Sequence, residues 1–149
     1  HDLRDIIRRS AHLLELKVPE NVIKQLAARS RATPRVANAL LKRVRDFSEV
    51  HDRNLSTELL DEACALFGID EQGLTKDDRR YLETLLKSFR GGPAGVRALA
   101  AGLHEEPDTM ENVYEPYLLR LGFIERSPRG RILTMQGRAY LEGDAGAIF

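Results

Sequence analysis

The stretch Asp108-Thr109-Met110-Glu111-Asn112-Val113-Tyr114-Glu115-Pro116-Tyr117-Leu118-Leu119-Arg120-Leu121-Gly122-Phe123-Ile124-Glu125-Arg126-Ser127-Pro128-Arg129-Gly130-Arg131-Ile132-Leu133-Thr134 changes periodicity halfway along. Met110, Val113, Tyr114, Tyr117, Leu118 and Leu121 recur at helical spacing and predict one apolar stripe. Asp108 with Glu111 has the form of a capping box, and Gly122 supplies a helix stop. Pro116 lies inside this helix, so a kink or short break is expected there. Phe123 to Ser127 and Arg131 to Thr134 read as short strands around the turn Pro128-Arg129-Gly130.

Upstream, the first half of the chain predicts four short helices. Leu3, Ile6, Ile7, Ala11 and Leu14 share a face, and Lys17-Val18-Pro19 ends it. Val22, Ile23, Leu26 and Ala27 mark the second helix. Thr33 is a good N-cap and Pro34 a good first residue for a third, which buries Val36, Leu40, Val44 and Phe47. Ser56 caps a fourth that carries Leu59, Leu60, Ala63, Leu66 and Phe67 before Gly68. Short helices on short loops make a small all-α domain.

Ile69 to Leu74 is polar with one glycine and is the best candidate junction, which divides the chain into residues 1–72 and 73–149. Beyond it, Thr75-Lys76-Asp77-Asp78 resembles a capping box, and Tyr81, Leu82, Leu85, Leu86 and Phe89 line one helix. Gly91-Gly92-Pro93 breaks the chain, and Val96, Leu99, Ala100 and Leu103 mark a shorter helix. The helix of Asp108 is the third, the hairpin comes next, and Gly137 to Glu142 suggest a last helical turn. Three helices followed by a hairpin make a winged helix, its second and third helices meeting as in a helix-turn-helix. The fold class is therefore mainly α, a four-helix domain followed by a winged helix with a short β-hairpin.

Composition sets limits on function. The 149 residues carry 23 basic and 23 acidic side chains, so a polyanion partner needs a local basic surface. The single cysteine, Cys64, falls on an apolar helix face and reads as a small buried hydrophobe. One cysteine makes no intrachain disulfide, which fits a reducing, cytoplasmic setting. No apolar run spans a bilayer and no signal peptide is visible. The chain is in helical pattern by Leu3, which reads as the middle of a longer protein.

No Gly-x-x-x-x-Gly-Lys-Ser/Thr loop occurs, so this chain by itself offers no triphosphate cradle and is expected to lack ATPase activity. His104-Glu105-Glu106 is the nearest approach to a metal cluster, and its adjacent side chains diverge, so no metal site is expected. Asp77 and Asp78 suit the first turn of a helix. No catalytic residue set emerges.

Two sets of arginines stand out. Arg35 follows Thr33 and Pro34, beside the free N–H groups and positive end of a helix, where a guanidinium makes an anion site; an ordinary exposed arginine is the competing reading. Arg126, Arg129 and Arg131 stand on the hairpin with no acid among the residues between them. Alternation turns several of them outward, suited to phosphate or minor-groove contact, or else to keeping a sheet edge from pairing. As exposed residues, Arg126 and Arg131 are expected to be replaceable with little effect on stability. The third helix presents Asp108, Glu111, Asn112 and Glu115 away from its stripe, which argues against base reading by that helix.

Two motifs resemble a known family. Arg29-Ser30-Arg31-Ala32-Thr33-Pro34-Arg35-Val36-Ala37-Asn38, continuing through Leu41-Lys42-Arg43-Val44-Arg45-Asp46-Phe47, resembles the second-sensor region of the RuvB family, bacterial AAA+ motors of Holliday junction branch migration in recombination and repair. Glu115-Pro116-Tyr117-Leu118 and Gly122 to Arg131 are similar to that family's C-terminal DNA-binding domain, and Gly73-Leu74 and Gly91-Gly92-Pro93 match in kind and order. The resemblance implies a preceding ATPase domain that supplies the phosphate loop, the magnesium-binding acid and the arginine finger. It implies that residues 1–72 are an AAA+ lid closing on ATP with Arg35 at the phosphates. It implies that residues 73–149 touch duplex DNA inside a homo-hexameric ring, with Arg126 and Arg131 as DNA contacts; Arg129 is added from its place in the turn. The junction-binding protein RuvA and the resolvase RuvC are the implied partners. Pro107 stands where some relatives carry a basic residue, and the tail from Met135 matches weakly, so no role is carried to either.

The alternatives are a stand-alone winged-helix transcriptional regulator with a helical effector domain, and a protein-interaction module. Salt-dependent binding to random duplex separates the DNA readings from the last, and indifference to sequence separates the motor from the regulator.

Overall fold

The computed structural model describes the backbone of residues 2–148 and the side chains of residues 2–143. It divides into two compact units, His1–Thr75 and Lys76–Phe149.

The first unit is built from α1 (Leu3–Leu13), α2 (Glu20–Ala28), α3 (Pro34–Val50) and α4 (Thr57–Phe67). Three of their starts are fixed by short side chains that accept the first free N–H groups: Asp2 from Arg4, Thr33 from Val36 and Ser56 from Leu59. Ile7, Val22, Leu26, Leu41, Val44 and Leu60 are fully buried in one shared core, and Cys64 lies there too, as its apolar setting predicts. Burial pushes the Cys64 thiol up, which makes it a poor nucleophile. The stretch after α4 is a tied turn. Asp70 accepts from the backbone of Gln72 and Leu74, both at 2.9 Å.

The second unit runs α5 (Lys76–Lys87), α6 (Val96–Leu103), α7 (Pro107–Thr109), a π-turn (Met110–Tyr114), α8 (Glu115–Arg120), β1 (Ile124–Ser127), β2 (Gly130–Leu133) and α9 (Met135–Ile148). The predicted third helix is thus three joined pieces. Its N-cap is Glu106, which makes no side-chain cap bond, so the Asp108 and Glu111 capping box does not form. The expected break before Pro116 takes the form of the π-turn, closed by the Glu115 N–H donating five residues back to the Met110 carbonyl. Pro116 then occupies the first turn of α8, where its missing N–H is least costly. The extra residue in the π-turn rotates the faces of α8 relative to a regular helix. Val113, placed on the apolar stripe by a 3.6-residue period, is 55% exposed, whereas Glu115 is fully buried. Tyr117 and Leu118 return to the core. The final helix is longer than the single turn expected, and its Tyr140 stacks on Phe123 at 4.9 Å between ring centres.

The hairpin strands pair antiparallel with Ile124 opposite Leu133 and Arg126 opposite Arg131. A third backbone segment joins them. Ala94 and Arg131 exchange N–H···O bonds of 2.9 and 2.7 Å. The two chains approach so closely that glycine is required on both sides: a Cβ on Gly92 would lie 2.2 Å from the Arg131 carbonyl oxygen, and one on Gly130 would lie 2.3 Å from that of Ala94. Among the described residues no helix is long and apolar enough to cross a membrane.

Candidate functional site

The hairpin turn is tied by Ser127, whose hydroxyl donates to the Gly130 carbonyl at 2.9 Å and accepts from the Arg129 N–H at 3.2 Å. Arg129 is exposed at its tip, and no carboxylate pairs with it among the described residues. Arg126 is half-exposed, at 47%. Arg131 is not outward as alternation suggests; its side chain is only 13% exposed. The cause is Glu115.

Glu115 is a fully buried carboxylate at the start of α8. Arg131 donates to it through Nε, 3.2 Å from Oε1 and 3.0 Å from Oε2, and through Nη2, 2.9 Å from Oε1. Arg126 adds Nη2 at 3.1 Å, and the buried Tyr81 hydroxyl of α5 donates to Oε2 at 2.7 Å. Burial by itself would push the Glu115 carboxyl up. The bonds from Arg131, Tyr81 and Arg126 outweigh it and hold the group below its ordinary value of 4.5. Burial, and then the bond to Glu115, push the Tyr81 phenol up, so it stays a donor. Glu111 stands 3.7 Å from Arg131 as an outer partner. The acid load of the third helix is therefore smaller at the surface than its sequence suggests, because Glu115 is interior and neutralised.

In the first unit, Arg35 is the second residue of α3 and is exposed, with no carboxylate partner among the described residues. The helix start offers little backbone to an anion. Pro34 has no N–H, the Val36 N–H is taken by Thr33 Oγ1 at 3.2 Å, and that of Ala37 by the Thr33 carbonyl at 3.0 Å. The donors left at this helix start are the Arg35 guanidinium and its own N–H. The approach to α3 is strained: Arg31 and Ala32 both have positive φ, 53° and 57°.

Glu105 accepts from the Tyr114 hydroxyl at 3.1 Å, and the Tyr114 phenol is pushed up to about 12, first by burial and then by that bond. Among the described residues no group of three or more His, Cys, Asp or Glu is placed to hold a metal. Two features escaped the sequence reading. The Ala94 bridge leaves too short a strand to show alternation, and its one signal is the facing glycines of Gly91-Gly92-Pro93 and Gly130. The burial of Glu115 follows from a π-turn that no periodicity encodes; the neighbouring Pro116 is its one trace.

Comparison with known proteins bears on both units. Residues 1–70 match the RuvB AAA lid domain, and residues 71–142 match the RuvB C-terminal winged helix domain. The chain is 50% identical over 142 residues to a Synechococcus sp. (strain RCC307) protein named Holliday junction branch migration complex subunit RuvB. It is 48% identical over 151 residues to the protein of that name from Synechococcus sp. (strain CC9311). These alignments take in 95% and 97% of this chain but 41% and 42% of the relatives, so the chain spans about two fifths of their length. Among solved structures, the Thermotoga maritima RuvB Holliday junction branch migration motor superposes with a TM-score of 0.90 at 42% identity, over 94% of this chain and 47% of that one. The chain belongs to the RuvB family, of which it carries the AAA lid domain and the C-terminal winged-helix domain.

Proposed function

We propose that this chain is the lid and DNA-gripping portion of an ATP-driven Holliday junction branch-migration motor. In this reading Arg35 meets the phosphates of ATP held by a separate ATPase domain, which also supplies magnesium and the catalytic groups. The hydrolysis of ATP supplies the energy, and the residues here bind, position and transmit. Arg126 and Arg129 meet the phosphates of duplex DNA, and Arg131 backs them from the base of the hairpin. The working state is a homo-hexamer in the cytoplasm, acting with RuvA at the junction and with RuvC.

The observation that carries this reading is the hairpin itself. It presents arginines at its edge while the nearest helix carboxylate, Glu115, is buried and neutralised. A motor that slides along any sequence needs contacts to groups that every sequence shares, which are phosphates. The relatives named as branch-migration subunits and motors support the same assignment.

The test is a salt titration of binding to two unrelated duplexes, with wild type and the Arg126→Ala/Arg129→Ala variant. The expected outcome is equal weakening on both duplexes, with the magnitude of the log-log salt slope reduced by roughly 0.9 for each lost contact. Weakening on one duplex alone favours the regulator. No weakening on either moves the DNA surface elsewhere.

A further inference from the structure

We propose that Glu115 is a positioning residue for DNA binding: it holds the Arg126 guanidinium in the orientation that meets a phosphate, with Arg131 as the strut that fixes Glu115. This rests on the DNA-contact reading above and adds a residue that touches no DNA.

The geometry is specific. Arg126 and Arg131 are direct partners across the hairpin, so both side chains leave the same face of the ladder. Both reach Glu115, which is fully buried. Arg131 spends two nitrogens on it and is itself largely buried. Arg126 spends one, Nη2 on Oε1 at 3.1 Å, and its side chain remains 47% exposed. Its Nε and Nη1 have no protein acceptor among the described residues, so they are available to a phosphate oxygen. An arginine free in solvent loses rotamer freedom when it binds; one already tied at a nitrogen loses less. The tie is rigid because Glu115 is gripped from a third side by Tyr81 at 2.7 Å, on a different helix. The carboxylate is thus the fixed point from which Arg126 extends.

The sign of one substitution separates this role from simple electrostatics. A carboxylate near DNA repels it, so Glu115→Gln should tighten binding if charge alone matters. Positioning predicts the reverse. We expect Glu115→Gln to weaken binding to random duplex by roughly eightfold at 0.1 M salt, because one lost phosphate contact forfeits the affinity of about 0.9 decades that it gains over the tenfold step down from 1 M salt. In an Arg126→Ala background the same substitution should have no weakening effect, because the residue it positions is gone. A purely structural role for Glu115 would weaken binding in both backgrounds.

Far-ultraviolet circular dichroism and melting establish that each variant is folded at the assay temperature. Should Glu115→Gln fail to fold, Tyr81→Phe carries the test, since it loosens Glu115 at unchanged charge. It should weaken binding in the wild-type background and not in Arg126→Ala. Tighter or unchanged binding by Glu115→Gln, or equal loss in both backgrounds, overturns the proposal. Absence of any salt-dependent binding by wild type would instead refute the DNA reading on which it rests.

Discussion

A buried carboxylate costs several kcal/mol unless its charge and lone pairs are met, and removing one partner leaves that cost exposed. Glu115 is met by Arg131, Arg126 and Tyr81, with Arg131 supplying the two-nitrogen clasp. Arg131→Ala should therefore destabilise the second unit by about 3 kcal/mol, measured by chemical denaturation. Arg126→Ala, at a half-exposed site, should cost less than about 1 kcal/mol. The premise that both side chains are exposed fails for Arg131, because alternation along a strand does not reveal a buried acid waiting on a helix. The pH dependence has its origin in the same bonds. Glu115 is held below its ordinary 4.5, so its contribution is present above that pH and is lost as pH falls through the lowered folded value. Wild type minus Glu115→Gln should show a stability difference that shrinks on acidification below about pH 4.5; a difference that is flat with pH would show that Glu115 is not held as an anion. Arg35, by contrast, was legible as a helix-start arginine because Thr33 and Pro34 announce the cap, and the structure places it there.

At the scale of elements, the helix bounds of the first unit were legible, whereas the cap and the register of the third helix of the second unit were not. Thr33, Ser56 and Gly68 bound their helices as sequence chemistry predicts. The hairpin forms around Pro128-Arg129-Gly130. The third helix of the second unit departs because a π-turn adds a residue between Met110 and Glu115, and this exchanges the exposures of Val113 and Glu115. A fixed helical period carries no term for such an insertion. The turn also makes Pro116 harmless. In a regular helix interior a proline costs about 3 kcal/mol, which its replacement would recover. Here Pro116 stands in the first turn of α8, so Pro116→Ala should raise stability by less than about 1 kcal/mol, read from chemical denaturation. A gain near the full interior value would show that Pro116 is strained at its place in α8.

For the whole molecule, zero formal net charge hides two separate positive features, one in each unit. The hairpin carries its arginines with the nearest helix acid interior, whereas α3 begins with a single exposed guanidinium and few free backbone donors. That difference sets the sharpest expectation for the lid. If an anion meets α3, Arg35 must provide most of the attraction, since Pro34 donates nothing and Thr33 already occupies the Val36 N–H. A charge-assisted hydrogen bond contributes about 2 kcal/mol, which is roughly thirtyfold in affinity. Arg35→Ala, introduced into a protein that also carries the RuvB ATPase domain, should weaken ATP binding by about that factor. It should also cripple ATP-driven junction unwinding. The folded state should be nearly unaffected, within about 0.5 kcal/mol, because the side chain is exposed and α3 keeps its cap. Nucleotide binding, strand-displacement rate and thermal melting are the three measurements. Full ATP affinity and unwinding in a folded Arg35→Ala protein would make Arg35 an ordinary surface residue, and the strained approach through Arg31 and Ala32 would then need another explanation.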